Sequence, residues 1–447
     1  MKTKHLMISM VVGFLAAGSA TEIAAALPKT RGTGGESSAE AVFREARGYT
    51  VRIRTRIETP FLGDERGAFL GAGFLVDAER GWIVTNAHVV GQSPSDVQVA
   101  FAGQEFEPAR KLYVDSFADI AVVTLDHPVH GRRPAPLDRV APPVVGEPVG
   151  AFGHPLGLLY TGSRGIVSGY TDQCGPDLIQ IDATVDHGNS GGPVIALGDR
   201  CILGIATAGA GGDKADRLNF ATPVEDVRCI LRMLREGVTP CPPRLGFGLL
   251  KDADGRHTMR VATTFDSTRW PLLPADRLVA IVGAPDSLEN LHDLVRGLRG
   301  RTGPVSVIVE RNGRRLTLVT HPVLREPITG RRGISIDGAL IAPVDFEDEV
   351  GSPDPARLAI HSVDPTSTAQ ELMLEPLDIL YSVDGRRFGD LDSLIAYVRS
   401  RPEHPLAIVI RRGTPDLYRD FEYHSRELPG SDVQVVPGDA APTMAGK

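Results

Sequence analysis

One serine of this chain stands among glycines, in the run His187-Gly188-Asn189-Ser190-Gly191-Gly192-Pro193. A serine hydroxyl is a weak nucleophile until a base removes its proton. The oxyanion formed by its attack on a carbonyl then needs preorganised donors, each worth about 3–4 kcal/mol of transition-state stabilisation. Flanking glycines let the backbone turn sharply and leave amide N–H groups pointing outward. Ser190 is therefore the candidate nucleophile. Gly188, Asn189 and Ser190 form the candidate oxyanion hole, with the Gly188 and Ser190 N–H groups as its donors. The stretch Trp82-Ile-Val-Thr-Asn-Ala-His88 supplies a candidate base, and Asp119-Ile-Ala-Val-Val an acid at the mouth of a strand. Asp115, four residues earlier, is a competing acid. The order His88, Asp119, Ser190 is one of the known orders of a Ser-His-Asp triad. In that chemistry His88 takes the Ser190 proton and returns it to the leaving amine. Asp119 fixes the His88 tautomer and stabilises the imidazolium.

Three such residues need a rigid frame. Val51, Ile53, Thr55 and Ile57 alternate with Arg52, Arg54 and Arg56, which predicts a half-buried strand over 50–57. Short apolar runs follow at 71–76, 81–85, 97–101, 120–125, 148–152, 165–170, 178–181, 194–196 and 202–206. Many short strands between turn signals, in a chain with 49 glycines and 34 prolines, predict closed antiparallel barrels. Residues 40–47 read as a short helix, and Val224–Arg235 as a helix with Val227, Ile230, Leu231 and Leu234 on one face.

Thr239-Pro-Cys-Pro-Pro243 is a stiff linker, and beyond it the chain repeats itself. Asp276-Arg-Leu-Val-Ala-Ile-Val-Gly283 parallels Asp378-Ile-Leu-Tyr-Ser-Val-Asp-Gly385. Each is followed by an amphipathic helix and then by a strand after Pro304 or Pro405. That pattern predicts two small α+β domains of similar build. The expected boundaries are a signal peptide over 1–26, a flexible segment over 27–39, a protease domain over 40–238, small domains over 244–325 and 330–428, and a disordered tail over 429–447.

The leader has Lys2, Lys4 and His5 before an apolar run over 6–17, with small residues near Ala20 and Ala26 as cleavage sites. Export implies an oxidising, periplasm-like compartment, in which four cysteines can pair. The expected pairs are Cys174–Cys201 and Cys229–Cys241, with buried free thiols as the alternative. A formal net charge of −8 excludes a basic nucleic-acid footprint. Neither a Cys-x-x-Cys motif nor a histidine cluster points to a metal, and no cofactor is expected.

Taken together, Thr85-Asn-Ala-His88-Val-Val, Asp119-Ile-Ala-Val and Gly188-Asn-Ser190-Gly-Gly, followed by paired repeats, resemble the HtrA/Deg family of trypsin-fold serine proteases with PDZ domains. The resemblance implies a mainly β chain: a double antiparallel β-barrel of the chymotrypsin/trypsin type, then two PDZ-like α+β domains. It implies ATP-independent endoproteolysis of unfolded or misfolded envelope proteins, with chaperone-like holding, in homotrimers or larger assemblies. Phe43 and Tyr49 are candidates for the trimer contact. The other reading is a peptide-binding chaperone or scaffold whose protease domain is latent or inactive. Departures from the family pattern are His187 before Gly-Asn-Ser, a short loop between Ile57 and Phe69, and Ala275-Asp276-Arg277 in place of Gly-Asp, which implies a degenerate first repeat.

Thr184 stands six residues before Ser190, where a trypsin-like enzyme would carry an acid. With Val185, Ile205 and Ala206 it predicts a small apolar pocket and cleavage after Val, Ala or similar residues. PDZ-like domains bind peptide C-termini by strand addition. Arg244, Phe247 and Gly248 resemble the carboxylate-binding loop of the first domain, and Gly333 and Ile334 that of the second. The acidic run Asp345, Glu347, Asp348, Glu349 reads as a solvated loop.

Overall fold

The computed structural model describes residues 38–171, 177–207, 218–253, 257–284, 287–344, 357–413 and 421–439. Six strands build the first barrel: Thr50–Ile57 (β1), Gly67–Asp77 (β2), Trp82–Thr85 (β3), Asp96–Phe101 (β4), Glu107–Asp115 (β5) and Ile120–Thr124 (β6). They close in the order β1-β2-β3-β6-β5-β4, every pair antiparallel. β1 turns Val51, Ile53, Thr55 and Ile57 inward. Its outward Arg52 and Arg54 lie over the Phe106 ring at 4.7 and 4.4 Å. No alternation announces β5, because Lys111 faces inward: its side chain is fully buried and pairs with Asp439 at 3.0 Å.

The second barrel is Pro148–Gly153 (β7), Thr161–Tyr170 (β8), Ile179–Ile181 (β9), Pro193–Ala196 (β10), Ile202–Thr207 (β11) and Asn219–Pro223 (β12), closed as β10-β11-β12-β9-β8-β7. Helix α1 (Ser38–Tyr49) is longer than expected and docks through Phe43, stacked on Phe152 at 5.5 Å between centroids. Gly150 and Gly162 make room for that ring, since a Cβ at either would lie 2.5 or 2.7 Å from it. Tyr49 is buried, so both proposed trimer-contact aromatics pack within their own chain. A four-residue helix, Ala87–Val90 (α2), follows β3, and Val224–Arg235 (α3) leaves the second barrel.

The first repeat opens with Pro243–Arg244 (β13), paired to Val323–Leu324 (β19). Between them lie Phe247–Lys251 (β14), His257–Thr264 (β15), Arg277–Ile281 (β16), helix Leu291–Leu298 (α4), Val305–Arg311 (β17) and Arg314–Thr320 (β18). Their sheet runs β14-β15-β16-β17-β18, which leaves β14 on an edge. The second repeat is Gly333–Ile336 (β20), Ala339–Val344 (β21), Arg357–Val363 (β22), Thr368–Glu371 (α5), Ile379–Val383 (β23), Leu391–Arg399 (α6), Leu406–Gly413 (β24), Phe421–Leu428 (β25) and Val433–Val436 (β26). Its sheet runs β25-β24-β23-β22-β21-β20-β26.

The two repeats share details that composition cannot show. Ala275 and Leu377 precede the paired aspartates with φ of +71° and +77°. Asp276 and Asp378 accept from Arg311 and Arg412 at 2.6–2.7 Å. The first repeat is thus no more degenerate at this point than the second.

Two expectations are overturned. Of the stretch read as a tail, residues 429–439 are described and are not free: β26 pairs along all of β20, from Gly333 with Val436 to Ile336 with Val433. Cys229 and Cys241 are free thiols, the first beside Arg232 at 3.8 Å and the second buried. Cys201 is free too, 3.7 Å from Asp138 Oδ1, while Cys174 and the acidic run 345–349 lie outside the described residues.

Candidate active site

The first barrel positions His88 and Asp119. β3 ends at Thr85, and α2 lifts His88 out of the barrel wall, leaving its side chain half exposed. Asp119 occupies the residue before β6 in a left-handed conformation, φ +52°, which a short polar side chain tolerates better than most. That turn aims its carboxylate back at α2. His88 Nδ1 lies 3.0 and 2.9 Å from the two carboxylate oxygens, and the His88 backbone N–H donates to Oδ1 at 3.1 Å. The carboxylate thus grips ring and backbone together, which leaves Nε2 as the ring nitrogen that faces away.

Asp115 is excluded from this role. It is buried, accepts from the Phe117 and Ala118 N–H groups at 2.9 and 3.0 Å, and pairs with Arg299, just past the end of α4, and with the Tyr113 hydroxyl. It is an anchor for the loop that carries Asp119.

The second barrel positions Ser190, in a turn where most backbone groups are already taken. The Asn189 N–H donates to Asp186 C=O at 2.9 Å, and Gly188 C=O accepts from the His154 N–H at 3.2 Å. The Gly192 N–H donates to Asn189 C=O, and the Gly191 N–H to Ala206 C=O, both at 2.9 Å. Among the described residues no carbonyl accepts the Gly188 or Ser190 N–H. Those are the two donors the sequence assigns to an oxyanion. Asn189 departs from the expectation: its N–H is used inside the turn, and its side chain packs on Gly153, where a Cβ would come within 2.7 Å.

The barrels meet at this turn. The Ala72 N–H of β2 donates to Ser190 C=O at 2.9 Å. Gly71 beside it is needed twice over, because a Cβ there would lie 2.6 Å from Val89, next to His88, and 3.2 Å from the Ser190 oxygen. Gly191, at φ +88°, allows no side chain either, with the Ala72 oxygen and Thr85 Oγ1 at 2.1 and 2.2 Å from an added Cβ. Buried Asn86 closes the join, its amide donating to Asp119 C=O at 2.8 Å and to Thr207 Oγ1 at 3.1 Å.

Comparison with known proteins agrees with this frame. A model of the trypsin-like peptidase domain matches residues 71–205. Protease Do-like 1, chloroplastic, of Arabidopsis thaliana is 34% identical over 191 residues, covering 41% of this chain and 43% of that protein. The putative serine protease HhoA of Synechocystis is 30% identical over 296 residues, covering 59% of this chain and 73% of that protein. The chain belongs to the HtrA/Deg family of serine proteases. It is a serine endopeptidase of that type. The solved HtrA-type protease AlgW with decapeptide shares the fold, with a TM-score of 0.51 at 22% identity, over 64% of this chain and 98% of that one.

Within this HtrA/Deg frame the expected pocket residues do not form one wall. Thr184 is exposed, and its carbonyl accepts from Ser163 Oγ at 2.7 Å. Val185 and Ala206 are buried in the core of the second barrel, whereas Ile205 joins the core shared with the first. Adjacent residues of a strand face opposite ways, so Ile205 and Ala206 cannot line one side. His187 is exposed at the rim. Residues the reasoning missed are Asn86 and His154. Asn86 lay inside the Thr-Asn-Ala-His run and could have been found as a polar residue at the end of a buried strand. His154 carries no sequence signal: burial pulls its pKa down to about 4, so it remains neutral while its N–H pins the Gly188 carbonyl.

Proposed function

We propose that the protein is an exported, periplasmic endopeptidase that degrades unfolded or misfolded proteins through an acyl-enzyme on Ser190. His88 acts as general base and then general acid. Asp119 holds the imidazole, and the Gly188 and Ser190 N–H groups receive the oxyanion. The observation that carries this reading is that, among the described residues, no carbonyl takes the Gly188 or Ser190 N–H, while the Asn189, Gly191 and Gly192 N–H groups are bonded. A relative from Buchnera aphidicola, named a probable periplasmic serine endoprotease and 26% identical over 373 residues, supports the exported setting.

Thr184 supplies no acid, which argues against cleavage after Lys or Arg, and cleavage after small aliphatic residues is the specificity put to the test. The first repeat is read as a PDZ-like peptide receptor. Arg244 precedes β14 and Phe247 and Gly248 begin it; β14 ends its sheet, and an extended peptide C-terminus can add at that edge as a further strand. Assembly as a homotrimer or larger homo-oligomer belongs to the same reading.

A fluorophosphonate probe with casein digestion tests the mechanism. Wild type is expected to label and to yield fragments ending in Val or Ala, and Ser190→Ala to do neither. Fragments ending in Lys or Arg would remove the specificity claim. Persistent absence of labelling, with casein still held in solution, would favour a chaperone or scaffold.

A further inference from the structure

Register puts the two repeats in correspondence. In the first, Phe247 pairs with Thr264 and Gly248 with Thr263, and the pairing then slips by one residue before Leu249. In the second, Ala339 pairs with Val363 and Leu340 with Ser362, and the slip falls at the same place, before Ile341. The carbonyls of Gly246 and Gly338 accept equivalent N–H groups, from Asp266 at 3.0 Å and from Asp364 at 2.9 Å. β14 therefore corresponds to β21. Gly333 and Ile334, which the sequence offered as the carboxylate-binding loop of the second repeat, lie on β20, which pairs along β21.

The edge open in β14 is closed in β21. β20 pairs antiparallel with β21 from Ile334 with Ile341 to Ile336 with Ala339. Its other edge pairs with β26, and one face packs toward α6: Ile334 and Ile336 share a core with Leu391, Leu394 and Val398, and Arg332 reaches Asp392 at 2.9 Å. β20 thus lies beside β21 with one face toward α6, running antiparallel and ending where β21 begins, and β26 closes its outer edge. A peptide added by strand augmentation takes that position. Its end is also held as a C-terminus would be. Asp337, at φ +48° and buried, points its carboxylate at the N–H groups of Gly430, Ser431 and Asp432, at 2.6, 3.1 and 3.0 Å. The Ser431 hydroxyl adds a fourth donor at 3.0 Å.

We propose that Gly333–Asp337 is a built-in ligand. It fills the strand-addition groove of the second repeat and presents the Asp337 side chain as a tethered carboxylate, so that free peptide C-termini enter this protein through the first repeat alone. The inference uses the receptor reading above only for what the first repeat does. The closed groove of the second stands on its own geometry.

Residue-resolved hydrogen exchange of the full chain, with no peptide added, tests the plug directly. Amides of β21 are expected to be protected throughout, while alternate amides of β14 exchange at least tenfold faster. Equal exchange in the two strands would overturn the proposal. Asp337→Asn should speed exchange over 333–336 and 430–436 at least tenfold, and unchanged rates would remove the tethered carboxylate. A photoreactive decapeptide with an apolar C-terminal residue is then expected to crosslink only within 244–298. Crosslinks at 339–344 or on α6 would overturn the proposal. Absence of crosslinks everywhere would refute the receptor reading of the first repeat and leave the exchange result to decide the plug.

Discussion

The two repeats were built on one plan and put to different uses. Among the described residues the first leaves β14 on the edge of its sheet, and it grips the loop that carries Asp119: Arg299, just past the end of α4, pairs with Asp115, and His292 of α4 stacks on Phe117 at 6.5 Å. The second has its edge closed by β20 and grips the histidine side of the site. Phe61, in the β1–β2 loop, is buried against Leu340 and Ala342, and Asp64 of that loop accepts from the Gln92 and Ser93 N–H groups at 2.7 Å. Asp439 and Lys111 hold the same segment from the other side, Asp439 through the Ser95 N–H at 3.3 Å and Lys111 through the Gly91 and Ser93 carbonyls. A repeated fold thus does not carry a repeated role. What decides the role is which edge remains free and which buried charges reach the neighbouring barrel.

The sharpest way to break the comparison is Arg299→Met. It strands the Asp115 carboxylate without its cation, and one-sided removal from a buried pair typically costs about 3–5 kcal/mol. Urea unfolding should show a loss of this size, with reduced kcat because the Asp119 loop loses its anchor. A loss under 1 kcal/mol would mean that the first repeat does not hold that loop.

Next in size is a pH effect at the second repeat. His361 accepts the Leu62 N–H on Nδ1 at 3.2 Å, Nε2 lies 3.1 Å from Pro343 C=O, and burial pulls its pKa down to about 4. Its folded pKa is below the unfolded value near 6.5, so the unfolded chain binds the proton first. This contribution is complete above pH 6.5 and is lost as pH falls toward 4, amounting to about 3 kcal/mol. His361→Gln should flatten that part of the stability profile.

A smaller effect is expected for Asp439→Asn. Lys111 keeps two carbonyls and loses only its counter-charge, so a loss of about 1–3 kcal/mol is expected, read by thermal unfolding. Glu310→Gln would be a poor control for comparison, because its Arg277 partner is exposed.

The smallest effect has the opposite sign and lies at the first repeat. Burial lowers the His292 pKa, but the hydrogen bond and charge of Asp226 at 3.2 Å, with Asp177 nearby, raise it overall. A raised folded pKa gives stability that is complete below pH 6.5 and fades as pH climbs through the folded value. Asp226→Asn should remove this dependence. Urea unfolding in which stability rises with pH through this range, equally in wild type and Asp226→Asn, would contradict it.

Much of this was legible beforehand. The barrel strands with clean alternation, the helix over Val224–Arg235, and the paired repeats all follow from apolar spacing. The strands β5 and β12 were not legible. β5 holds a lysine that is buried only because an aspartate 328 positions later meets it, and β12 follows residues without a periodic pattern. The pocket assignment failed for a related reason. Spacing along the chain cannot say which of two adjacent buried residues faces the cleft and which faces the barrel interior.

By itself the sequence determined the chemistry: a serine among glycines, a histidine after a buried strand, an acid before another, and the periodicities that make barrels. These are local properties, written in neighbouring residues and in the two-residue repeat of a strand. Tertiary structure alone decided that Asp119 rather than Asp115 faces His88, that Cys229 and Cys241 stay apart, and that Val433–Val436 folds back as a strand. Each of those outcomes depends on which distant group arrives to satisfy a buried charge or an open backbone edge, and a linear pattern carries no record of that.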